Sequence, residues 1–80
     1  MDSEKKNRRE TVTLNLTESS QVKISVFDNY GRLVAQPVNA FQQKGEQKVI
    51  WNAGNLPAGI YFYRIITDTR QATGRMILVK

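Results

Sequence analysis

Residues 56–66, Leu-Pro-Ala-Gly-Ile-Tyr-Phe-Tyr-Arg-Ile-Ile, constrain this chain more than any other stretch, because a turn written in Pro57 and Gly59 launches a run of aromatic and β-branched residues. Such a run fits a strand far better than a helix, and it demands burial. Beyond it the sequence predicts one more polar turn around Gly74, then a closing strand, Arg75-Met76-Ile77-Leu78-Val79, that ends on Lys80. On this reading the fold closes on its own C-terminus.

The preceding segments follow the same grammar. Residues 1–10 are polar and aperiodic and read as a disordered leader, linker or expression remnant, with the folded unit expected over 11–80. Thr11-Val12-Thr13-Leu14-Asn15-Leu16 alternates strictly, placing Val12, Leu14 and Leu16 on one face. The pattern resumes at Val22, Ile24 and Val26 after a polar link over 17–21, which suggests a hairpin. Asp28-Asn29-Tyr30-Gly31 fits a type I turn closed by a glycine in the left-handed region. A strand over 32–36 follows, and Pro37, which has no N–H for a ladder, should end it or lie at a sheet edge that residues 38–43 then cover. Lys44 and Gly45 turn the chain into a strand over 46–52 with Val49 and Trp51 on one face and Ile50 on the other. Residues 52–55 form another turn, and Leu56 plugs the end of the core.

Turn signals thus recur roughly every ten residues, which is the spacing of an all-β chain of roughly six or seven short strands. A helix over 36–44 is the one competitor. The expected fold is a small antiparallel Ig-like β-sandwich, two sheets packed face to face. An 80-residue domain buries only about two thirds of its unfolded surface. With three Phe, three Tyr and one Trp it has material for one core and none to spare for a roomy ligand cavity. The absence of cysteine and histidine removes disulfides, thiolate metal sites and the usual neutral-pH bases, so no catalyst and no cofactor is expected.

Twelve Lys and Arg against seven Asp and Glu give +5, which raises the question of a polyanionic partner. Lys5, Lys6, Arg8 and Arg9 are interleaved with Asp2, Glu4 and Glu10, so the first ten residues carry only +1 of that charge. The rest is scattered singly along the chain. No apolar run approaches the roughly 18 residues of a membrane span, and no secretory h-region opens the sequence. Asn15-Leu16-Thr17 matches a glycosylation sequon by chance, within a strand.

Taken together, Val-Lys-Ile-Ser-Val-Phe-Asp-Asn-Tyr-Gly-Arg-Leu-Val over 22–34, Gly45, the Leu-Pro-Ala-Gly-Ile-Tyr-Phe-Tyr-Arg-Ile box over 56–65 and the closing Arg75-Met76-Ile77-Leu78-Val79-Lys80 resemble the C-terminal sorting domain of proteins exported by the type IX secretion system. The resemblance covers roughly residues 11–80. It implies a non-catalytic β-sandwich attached to an upstream cargo, read by outer-membrane secretion machinery and then removed by a sortase-like peptidase. It also implies passage through the periplasm of a Gram-negative bacterium to the cell surface or beyond. Many members carry an Asn-Pro pair before the first strand, whereas Asn7 is followed here by Arg8.

A folded address needs exposed features on a rigid sheet. The candidates are Asp28, Gly31 and Arg32 in one turn, Gly59 and Tyr61 at another, and Arg75 and Lys80 on the last strand. Turn geometry alone accounts for Gly31 and Gly59, and an edge strand uses cations such as Arg75 and Lys80 for solubility. Two other functions are compatible with the sequence. An Ig-like carbohydrate-binding or accessory module would display coplanar exposed aromatics, where a sorting domain would turn its large aromatics inward. A single-stranded nucleic-acid binder would stack bases on Tyr61, Phe62 and Tyr63 beside Arg64; against it, the charges do not cluster and acidic turns flank the sheet.

Overall fold

A computed structural model describes residues 9–54 and 56–79. Alternation becomes six strands: β1 (Arg9–Leu16), β2 (Ser20–Phe27), β3 (Leu33–Gln42), β4 (Gly45–Asn52), β5 (Gly59–Ile66) and β6 (Gln71–Leu78). They form an antiparallel pair, β1-β4, and a four-stranded antiparallel sheet ordered β3-β2-β5-β6. The smallest dimension is 16 Å, as expected for two layers about 10 Å apart. No helix occurs among the described residues, and β3 runs through the 36–44 segment where one was conceivable.

The core sits on β2, whose Val22, Ile24 and Val26 are fully buried. Val22 and Ile24 meet Leu14 of β1, with Val12, Leu16, Val38, Val49 and Ile65 around them. Val26 belongs to the other half of the core with Ala53, Tyr61 and Leu78, against which Trp51, Leu56, Tyr63 and Met76 pack. The aromatic strand β5 is therefore only half buried. Tyr61 and Tyr63 point into the core, while Ile60 and Phe62 on the opposite face stay 42% and 41% exposed. An antiparallel sheet with a single covered face permits this, so burial is required on one side only.

Three sequence expectations need correction. β1 and β2 do not form a hairpin: β1 pairs with β4 along its whole length, from Arg9 opposite Asn52 to Leu16 opposite Gly45. Both strands carry an apolar face, and placing them in opposite layers lets those faces cover each other. Their short link is fastened to two distant turns. Ser19 Oγ accepts the Lys44 N–H at 3.1 Å, Ser20 Oγ accepts the Asp68 N–H at 2.9 Å, and the Asp68 carboxylate accepts the Gln21 N–H at 3.3 Å. β1 also starts at Arg9, two residues ahead of the strict alternation.

The second correction concerns β3, one bulged strand rather than a strand and a cover. Ile24 pairs with Val38 and Val26 with Ala35, leaving Gln36 and Pro37 opposite Ser25 alone. β3 is an edge strand, so the bulge accommodates a residue with no N–H at little cost.

Third, the turn before the last strand is at 67–70, not around Gly74. The Thr67 N–H donates to the Arg70 carbonyl at 2.9 Å, and Thr67 Oγ1 accepts the Arg70 N–H at 3.0 Å. Gly74 lies within β6 opposite Tyr63, and a Cβ there would meet the Tyr63 ring at 2.3 Å. Its lack of a side chain is what lets the tyrosine lie across the strand against the core.

Gly74→Ala should therefore destabilise the domain by about 1–3 kcal/mol, the cost of overpacking, measured by urea unfolding. In a Tyr63→Leu background the same change should be close to neutral, since the colliding ring is gone. Equal costs in both backgrounds would show that the ring is not the obstacle.

Candidate functional site

At one end of the sandwich the turn between β2 and β3 is built around a single carboxylate. Asp28 Oδ1 accepts the N–H groups of Tyr30 at 2.8 Å and Arg32 at 3.0 Å, while Oδ2 accepts Arg32 Nε at 2.7 Å. The backbone closes the same loop, with the Asp28 N–H donating to the Arg32 carbonyl at 2.9 Å and the Gly31 N–H to the Asp28 carbonyl at 3.0 Å. Gly31 takes a φ of +83°, the left-handed value expected for the residue that ends this turn. The Arg32 N–H holds the Asp28 carboxyl below its ordinary value; burial offsets this in part, and the Tyr30 N–H and the Arg32 guanidinium add to the lowering. The Asp28 side chain is only 13% exposed and that of Arg32 is 74% exposed, so the acid is consumed inside the turn and the cation is displayed. The guanidinium also lies 5.5 Å from the centre of the exposed Tyr30 ring.

Beside this knuckle lies the loop entering β5. Asn52 Oδ1 accepts the Gly54 N–H at 2.8 Å, and the Leu56 N–H donates to the Ala53 carbonyl at 3.1 Å. Farther on, the Tyr61 hydroxyl donates to the Pro57 carbonyl at 2.6 Å. Tyr61 thus fills the core with its ring and pins the turn with its oxygen. Gly59 has a φ of +151° with open space where a Cβ would stand, so its demand is conformational rather than steric.

The two turns flank an open groove lined by Asp28, Arg32, Gly59 and Tyr61, together with Leu56 and Pro57. Four of the seven residues singled out from the sequence therefore come together, and Gly31 shapes the knuckle beside them. Arg75 is elsewhere, opposite Phe62 in β6 on the solvent face of the large sheet. Lys80 lies outside the described residues. The groove offers an open shape and one displayed cation, Arg32.

Sequence reasoning missed the solvent face of the large sheet. The large aromatics are not all turned inward: Phe62, Phe41 and Tyr30 are exposed. Phe41 and Phe62 do not share one platform. Phe41 stands opposite Gln21 and Phe62 opposite Phe27, positions six residues apart along β2, or about 20 Å at ~3.3 Å per residue. The nucleic-acid expectation loses Tyr61 and Tyr63 as stacking surfaces, since both face the core. No helix among the described residues is long and apolar enough to cross a membrane.

Residues 8–80 match the family model described as "Secretion system C-terminal sorting domain". No curated protein and no solved structure matches the chain.

Two measurements probe the groove. Gly59→Val should lower stability by about 1–3 kcal/mol through backbone strain, and an unchanged melting temperature would show that the turn tolerates a side chain. Because the folded pKa of Asp28 is depressed, its contribution is present above the unfolded aspartate value of about 3.9 and is lost as pH falls through the folded value. The melting-temperature gap between wild type and Asp28→Asn should hold steady at neutral pH and close in strong acid. A gap that persists at pH ~2 would mean that the carboxylate charge is not its source.

Proposed function

The chain belongs to the family of secretion-system C-terminal sorting domains, and we propose that it is the folded address by which an outer-membrane type IX translocon recognises an attached upstream cargo. A sorting signal of this family directs export toward the cell surface or the medium. We read the finer steps as periplasmic transit of the folded domain, recognition at the outer membrane, and removal by a sortase-like peptidase. The unit that acts is the sandwich whose first strand begins at Arg9, with the residues before it serving as a linker to the cargo.

The observation that carries this reading is the family match across residues 8–80. The groove supports it, since the two turns carrying the family-like motifs lie side by side and present Arg32 on a rigid frame. On this reading Asp28, Gly31, Gly59 and Tyr61 hold the shape of the recognition surface, and Arg32, Arg75 and Lys80 are the groups a receptor touches. The role is non-catalytic, in keeping with a sequence that contains neither histidine nor cysteine.

Fusion of residues 1–80 behind a periplasmic reporter, in a bacterium that has the type IX machinery, should deliver the reporter to the surface or the medium. A reporter retained in the periplasm, with the domain folded, would sink the proposal.

A further inference from the structure

The solvent face of the four-stranded sheet has a charge pattern that the linear sequence conceals. Strands β2, β3, β5 and β6 contain no Asp or Glu. The described acids lie on β1 and β4 or in turns, as with Glu10, Glu46 and Asp68. Lys23, Arg64 and Arg75 all fall on the solvent face, because their strand neighbours Val22, Ile24, Ile65 and Met76 pack into the core. Register sets them on a diagonal: Lys23 is opposite Ile66, Ser25 is opposite Arg64, Arg64 is opposite Thr73 and Phe62 is opposite Arg75. Successive cations on such a diagonal are separated by about 7–8 Å.

An apolar patch adjoins this stripe. Leu33, Phe27 and Phe62 form one row across β3, β2 and β5, and Ile60 with Ile77 continues it. Leu33 and Ile77 are more than half exposed. The Arg64 guanidinium lies 5.3 Å from the centre of the Phe27 ring, so this cation is held down against the patch. Ser25, its cross-strand neighbour, is buried although it is on the solvent face.

We infer that this face docks a protein surface in which carboxylates border an apolar ridge, and that this partner belongs to the export machinery. The inference deepens the sorting role and rests on it. Charge complementarity selects the occupant. The strands of this face bring three cations and no carboxylate to it, Glu10 sharing only the cleft at the β6 edge with Arg75, so the cations call for acids and the aliphatic groups beside them call for apolar side chains. A second copy of this chain is disfavoured, because a two-fold contact would set one basic stripe against another. A nucleic acid strand fits less well: the patch is largely aliphatic, and the Arg64 guanidinium covers one aromatic ring it could stack on.

The test uses the reporter fusion with two variants, Arg64→Glu/Arg75→Glu on this face and Lys48→Glu on β4, each checked for an unaltered thermal transition. A photo-cross-linking residue replaces Phe62 in both the parent and the Arg64→Glu/Arg75→Glu fusion. The double reversal should cut export at least tenfold while Lys48→Glu stays within twofold of wild type. The cross-link from position 62 should give a protease-sensitive adduct heavier than a dimer of the fusion, and the double reversal should abolish it. Export of the reversed variant at the wild-type level overturns the inference, as does an adduct that is nuclease-sensitive, that carries lipopolysaccharide, or that is a dimer of the fusion. Failure of the unmutated fusion to leave the periplasm would count instead against the sorting role itself.

Discussion

Val22, Ile24 and Val26 hold the molecule together. Three residues on one face of one central strand reach both halves of the core, Val22 and Ile24 in one cluster and Val26 in the other. β2 bonds to β3 on one side and β5 on the other, so its backbone is satisfied while its apolar face meets the β1-β4 pair. With no disulfide available, that face and its hydrogen-bond ladders supply most of the cohesion. A chain this short has little stability in reserve, which is why each turn is also fastened by side-chain hydrogen bonds.

The opposite ends of the sandwich use different chemistry for that fastening. At one end, hydroxyls of Ser19 and Ser20 join three turns that are far apart in sequence. At the other, Asp28 spends its charge on two backbone N–H groups and one guanidinium, and the Tyr61 hydroxyl closes the neighbouring loop. An isolated surface ion pair contributes little. Here the carboxylate is shared with backbone donors, so its effect is to fix the shape of the knuckle and to leave Arg32 facing solvent.

Much of this was legible in the sequence because period-two alternation reports directly on which side of a strand is covered. Val12, Leu14, Leu16 and the β2 residues face inward as their spacing requires, and the Asp28 turn closes on a glycine with positive φ as its composition implies. What alternation cannot report is which strand lies beside which. The polar link after β1 reads as a hairpin turn, yet the chain there crosses between layers, and only tertiary pairing with β4 reveals it. Gly74 reads as a turn for a related reason: a strand glycine and a turn glycine look alike in sequence, and only the facing Tyr63 tells them apart. The groove was partly legible through its two turn motifs. The basic diagonal was not, because its members come from β2, β5 and β6 and meet only through register.

The pairing of β1 with β4, and of β2 with β5, joins residues 29 to 43 positions apart in the sequence. Long-range closure of this kind slows folding, since loop entropy must be lost before any contact repays it. It also couples display to completion. Phe62 and Arg75 become neighbours only once β6 has docked on β5, so a nascent, nicked or misfolded chain shows no such row. On the docking role proposed for it, a surface assembled from three strands doubles as a proofreading device, open to a reader only on molecules that have finished folding.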